Sequence, residues 1–134
     1  EVQAVLAAEA PEIAAAGPRP VVVAFWASWC APCAAELPLL AETARRLDAD
    51  GVPATFLAVS IDRDPRAVER FVAGQDLEGL TVLWRPAWAA EWRVEGVPQT
   101  FVVDREGFIR SQHTGYAPEE IVRLGEQVRM LAAR

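Results

Sequence analysis

Val21-Val22-Val23-Ala24-Phe25-Trp26-Ala27-Ser28-Trp29-Cys30-Ala31-Pro32-Cys33 is the stretch that decides the fold of this chain. Its first six residues are an unbroken β-branched and aromatic run, which suits a central strand covered on both faces. After Trp29 the pattern changes from strand to helix. Pro32 fits a first helical turn, where a missing N–H costs little. Leu37, Leu40, Ala44 and Leu47 then keep a helical spacing to about Asp50. Pro38 falls inside this helix and predicts a kink.

The junction places Cys30 at a helix N-terminus. Free N–H groups and a partial positive charge gather there. They stabilise a thiolate and lower a cysteine pKa from about 8.5 toward neutrality. The thiolate is the attacking species in disulfide exchange. The three-residue offset puts Cys33 on the same side of the first turn. Cys30 therefore reads as the nucleophile and Cys33 as the resolving thiol. These are the chain's two cysteines. A bridge closing so short a loop gives little loop-closure stabilisation, so the pair is suited to opening and closing rather than to holding the fold. The rival reading is half of a zinc site. Zinc usually wants four ligands in two pairs, and here one pair faces a lone, distant histidine.

Working outward, Val2 to Ala16 reads as an alanine-rich helix ended by Gly17-Pro18-Arg19-Pro20. Ala54 to Ile61 is a second buried strand. Asp64 as N-cap and Pro65 at the first helical position open a helix to about Gly74. A short strand over Leu80–Trp84 and a short helix over Pro86–Arg93 follow. Thr100–Asp104 and Phe108–Gln112 flank Arg105-Glu106-Gly107, an antiparallel hairpin. The last helix opens at Pro118 and carries Ile121, Leu124, Val128 and Leu131 on one face. The order implies an α/β fold: a central mixed sheet of four to five strands flanked by helices on both faces. One domain is expected over 1–134, with an N-terminal helix over 1–17 and an inserted segment over 75–95.

The 134 residues are 52% hydrophobic and 24% charged, which fits one globular domain. A formal net charge of −6 argues against nucleic acid or an anionic membrane surface as main partner. A single histidine, His113, excludes a histidine-rich metal site. His113 closes the hairpin with no sequence neighbour to pair with, and no role is assigned to it. Trp84, Trp88 and Trp92 recur every four residues, which would put them on one helical face, as core packing rather than as a docking surface. No apolar run approaches the roughly 20 residues of a membrane helix.

Phe25-Trp26-Ala27-Ser28-Trp29-Cys30-Ala31-Pro32-Cys33 resembles the active-site segment of thioredoxin-like proteins. Three stretches resemble, more narrowly, the TlpA/ResA/CcmG-like branch of bacterial extracytoplasmic thiol–disulfide reductases. They are Cys33-Ala34-Ala35-Glu36-Leu37-Pro38, Val59-Ser60-Ile61-Asp62, and Gly96-Val97-Pro98-Gln99-Thr100-Phe101-Val102-Val103-Asp104-Arg105-Glu106-Gly107. The likeness spans about 20–132. It implies a thioredoxin fold, with Val97–Pro98 as a cis peptide facing Cys30. Such a loop would offer the backbone of Val97 to an extended substrate strand. The alternative is an ordinary trans proline opening an edge strand.

The resemblance also implies that Glu36 shuttles a proton to or from Cys33, since a buried thiol needs a base. The alternative is a solvated glutamate on a helix face. Cys30, Cys33, Glu36 and Pro98 are thus the catalytic candidates, and Trp29, Ala31, Pro32 and Val97 the substrate-binding ones. Two departures stand out. Thioredoxins proper carry a buried aspartate where this chain has Ala24. Many members of the branch begin with a β-hairpin, not an alanine-rich helix.

What the resemblance implies in function is a reductant in cytochrome c maturation and its electron transport. It would take electrons from a membrane thiol donor and pass them to an oxidised protein, with apocytochrome c as the leading substrate class. No cofactor, metal or nucleic acid is expected, and a monomer is. The implied location is extracytoplasmic, in the periplasm, with any membrane anchor on a segment missing from this chain. No histidine stands between the cysteines, as it tends to in strong oxidants of this fold. The rivals are a disulfide oxidase or isomerase, and a binding or chaperone module without turnover. A peroxidase would want Thr-x-x-Cys, and position 27 is alanine.

Overall fold

A computed structural model describes residues 18–134. The helix expected over Val2–Ala16 lies outside the described residues. The elements are β1 (Val21–Trp26), α1 (Ala31–Ala49), β2 (Thr55–Ser60), α2 (Pro65–Ala73), β3 (Thr81–Trp84), α3 (Trp88–Glu91), β4 (Gln99–Val103), β5 (Ile109–Thr114) and α4 (Pro118–Ala132). The five strands form one sheet in the order β3-β2-β1-β4-β5. β1 is central, parallel to β2 and antiparallel to β4. β3 joins β2 in parallel, and β5 joins β4 antiparallel. Helical crossovers between β1, β2 and β3 keep those strands parallel.

Side chains alternate across the sheet. Val22, Ala24 and Trp26 point to a core built with Leu37, Leu40 and Leu47 of α1, Val68 of α2, and Ile121, Leu124 and Val128 of α4. Val21, Val23 and Phe25 point the other way, where Leu57, Val59, Phe101 and Trp88 complete a second core. The strand run reads as continuously apolar because both of its faces are covered. Gly125 sits where α4 crosses α1. A Cβ there would stand 3.2 Å from Thr43 Cγ2, so the bare backbone lets the helices close.

Two expectations are corrected. The second hairpin strand begins at Ile109 and runs to Thr114. The Asp104 carboxylate accepts the N–H groups of Glu106 and Phe108 at 2.9 and 3.0 Å, which holds Phe108 in the turn. The three tryptophans do not share a helical face. Trp84 ends β3, paired with Ser60, and its indole N–H donates to the Asp62 carbonyl at 2.7 Å. Trp88 and Trp92 stack on each other at 6.3 Å, and Trp92 packs against Phe25 and Phe101.

Candidate functional site

β1 delivers the chain to the end of the central strand, and a tight turn then starts α1. The Cys30 N–H donates to the Ala27 carbonyl at 3.2 Å and closes that turn. Cys30 is the N-cap of α1, in extended conformation, and its sulfur accepts the Cys33 N–H at 3.2 Å. A sulfur that accepts a helix N-terminal amide is electrostatically favoured as a thiolate when reduced. The two cysteines are joined as a disulfide, with Cα atoms 5.2 Å apart. Cys30 keeps 6% exposure and Cys33 none, so the outer sulfur is the one a partner can reach. Trp29 beside it is 71% exposed. Ala31 and Pro32 are exposed as well.

The loop before β4 faces this pair. The Val97–Pro98 peptide is cis, and the Val97 carbonyl oxygen lies 3.7 Å from Cys30 Sγ. The Pro98 carbonyl accepts the Gly115 N–H at 2.8 Å, which ties the loop to the end of β5.

Glu36 lies one turn beyond Cys33 on α1 and is 1% exposed. It is therefore not a solvated surface residue. Its Oε2 accepts the Thr100 hydroxyl at 3.4 Å, and its Oε1 lies 3.7 Å from His113 Nε2. The structure thus brings His113, which the sequence left without a role, to a candidate site residue. Sheet register accounts for this, because Ala24, Thr100 and His113 form one row across β1, β4 and β5.

A second missed group is Asp62. Its carboxylate takes the Ser28 N–H at 3.0 Å, and the Ser28 and Ser60 hydroxyls at 2.6 Å each. Asp62 thereby anchors the turn that presents Trp29 and Cys30. The signal was Ser60-Ile61-Asp62 at the end of a buried strand, where a carboxylate needs local donors.

A mixed five-stranded sheet with a Cys-x-x-Cys helix start against a cis-proline loop defines the thioredoxin-like class. Within that class the chain belongs to the Redoxin family, which matches residues 12–128. It is similar to the thiol:disulfide interchange protein DsbE homolog of Paracoccus denitrificans, 37% identical over 97 residues. That match covers 70% of this chain and 50% of the relative. HelX of Rhodobacter capsulatus, a thiol:disulfide interchange protein, is 35% identical over 103 residues, covering 75% of this chain and 55% of the relative. The chain thus spans about half the length of these curated relatives. A crystal structure described as a thiol:disulfide interchange protein DsbE of Chlorobium tepidum superposes with a TM-score of 0.78 at 27% identity. It covers 90% of this chain and 84% of the other.

Proposed function

We propose that this chain is a protein-disulfide reductase that works by dithiol exchange at Cys30 and Cys33. The observation that carries the reading is the asymmetry of the pair. Cys30 is the reachable N-cap sulfur with an amide donor upon it, and Cys33 is fully buried one turn behind. The Cys30 thiolate attacks one sulfur of a substrate disulfide and expels the other as a thiolate. Cys33 then gives up its proton and attacks Cys30 Sγ, which releases the reduced substrate. Two electrons pass from the dithiol to the substrate. Glu36 is the base for Cys33. Pro98 holds the loop opposite, while Trp29, Ala31, Pro32 and the Val97 backbone receive an extended substrate segment.

The substrate class is a disulfide-containing protein such as apocytochrome c. The DsbE homolog and HelX are thiol:disulfide interchange proteins, which supports the exchange chemistry. A membrane thiol donor would restore the dithiol, in an extracytoplasmic setting such as the periplasm. Among the described residues no helix is long and apolar enough to cross a membrane.

The test is a trap. Cys33→Ala should accumulate a mixed disulfide through Cys30 with a peptide carrying an oxidised Cys-x-x-Cys-His. Reduced wild type should release that peptide as a dithiol. No adduct on Cys30, with the wild type inert toward the same peptide, would end this reading.

A further inference from the structure

Glu36 Oε1 and His113 Nε2 stand 3.7 Å apart. Each is buried without a hydrogen-bond partner among the described residues. Buried polar groups are nearly always paired, so two orphans facing each other call for a reason. At 3.7 Å the two atoms lie just outside hydrogen-bond distance, and a small side-chain rotation would bring them into proton-transfer reach. The opposite side of His113 differs from that of Glu36. Its side chain keeps 18% exposure, against 1% for Glu36. It also lines a cavity of about 270 Å³ with Ser111, Glu120, Arg123, Leu124 and Gln127. The imidazole therefore reaches from a sealed carboxylate to an opening bounded by α4.

We propose that His113 is a positioning residue for the Cys30/Cys33 chemistry, carrying the proton of Glu36 to and from the α4 side of the sheet. The inference rests on the dithiol reading above. While a substrate covers Trp29, Cys30 and Val97, the proton of Cys33 needs another exit. It passes from Cys33 Sγ to the Glu36 carboxylate. The Cys33 thiolate then attacks Cys30 Sγ, the mixed disulfide breaks, and the electron pair leaves on the substrate sulfur, which takes a proton from solvent. Glu36 passes its proton to Nε2 of His113, and His113 sheds one from Nδ1 into the cavity. An imidazole can accept at one nitrogen and release at the other. Across the full cycle the dithiol loses two electrons and two protons, and the substrate disulfide gains both.

Glu36 has Cys33 on its own helix, the neutral Thr100 hydroxyl from β4, and His113 from β5. Glu120 and Arg123 from α4 line the same cavity as His113. Those two pair with each other, so their charges offset.

One histidine in the chain makes the test direct, because its imidazole proton resonances need no assignment. They are titrated in the disulfide form and in the dithiol form kept reduced with dithiothreitol. The midpoint should differ between the two forms, and the difference should collapse in Glu36→Gln. Equal midpoints in the wild-type forms would overturn the relay. His113→Gln gives the kinetic counterpart, with glutathione disulfide as probe from about pH 5 to 9. Release of the mixed disulfide should slow roughly tenfold near neutrality, less than the roughly 100-fold or more of losing an acid–base group itself. Attack by Cys30 should be unchanged. A release profile identical to wild type would also overturn the relay. If wild type does not exchange with glutathione disulfide, the dithiol reading falls, and the resonance difference still judges the coupling of His113 to the pair.

Discussion

Asp104 in the β4–β5 turn and Glu36, one turn after Cys33 on α1, are both buried carboxylates, and their surroundings are opposite. Asp104 accepts N–H groups from Glu106 and Phe108 and the Arg110 guanidinium at 2.5 Å. Burial pushes its carboxyl up, but those donors and the Arg110 charge outweigh it and hold the pKa below the ordinary carboxylate value. Glu36 has one hydroxyl at 3.4 Å and one oxygen with no hydrogen-bond partner among the described residues. A carboxylate crowded with donors is a fixed charge that builds a turn. A carboxylate with a vacant oxygen beside an imidazole, one helical turn after a cysteine, is what the proposed proton exchange at Glu36 requires. Asp62, with three donor groups, belongs with Asp104 by its bonds and with Glu36 by its place.

The contrast can be broken most easily at Glu36. Glu36→Gln should slow the Cys33-dependent release step roughly 100-fold near neutral pH. Its thermal unfolding should move little, since no strong bond is lost. Stopped exchange read by alkylation and mass checks the first part, and calorimetry the second.

Asp62→Ala comes next, and should do both kinds of damage. It strands the Ser28 N–H and loosens the turn before Cys30, at a cost of about 1.5–3 kcal/mol for a charged hydrogen-bonding group. A slower attack by Cys30 should accompany the lower stability. Stability lost with attack unchanged would place Asp62 wholly with Asp104.

Asp104→Asn should leave exchange alone and change acid stability. The folded pKa of Asp104 is depressed. Its contribution is therefore fully present above the ordinary carboxylate value and is lost as pH falls through the depressed one. The acid limb of urea stability against pH should flatten in the variant. An unaltered limb would show that the turn does not draw on this charge.

The smallest effect belongs to Asp64, the exposed N-cap of α2. It accepts the Arg66 N–H at 2.9 Å, which leads the causes that lower its pKa. Asp64→Ala should shift acid stability in the same direction as Asp104→Asn and by less, with exchange untouched.

Much of this arrangement was legible in the chain because it is local. The apolar run of β1, the Asp64-Pro65 helix start and the Cys30–Cys33 offset each depend on neighbours within one or two turns. The cis loop was reached through resemblance, not through propensity. What escaped depends on register. His113 meets Glu36 only once β5 is paired to β4 and β4 to β1, so no window of sequence contains the contact. Asp62 stands in the Val59-Ser60-Ile61-Asp62 stretch, but its partner Ser28 lies on another strand's loop. The tryptophan spacing misled because Trp84 is held in the sheet by Ser60, and a four-residue repeat has meaning only inside a helix.

The most direct measurement is the equilibrium of the Cys30/Cys33 pair with defined thiol buffers, read by alkylation and mass. A reductase of this kind should give a potential near or below about −250 mV, in the range of thioredoxin. A value near about −120 mV, that of a strong oxidant, or a pair that never equilibrates with the buffer would contradict it.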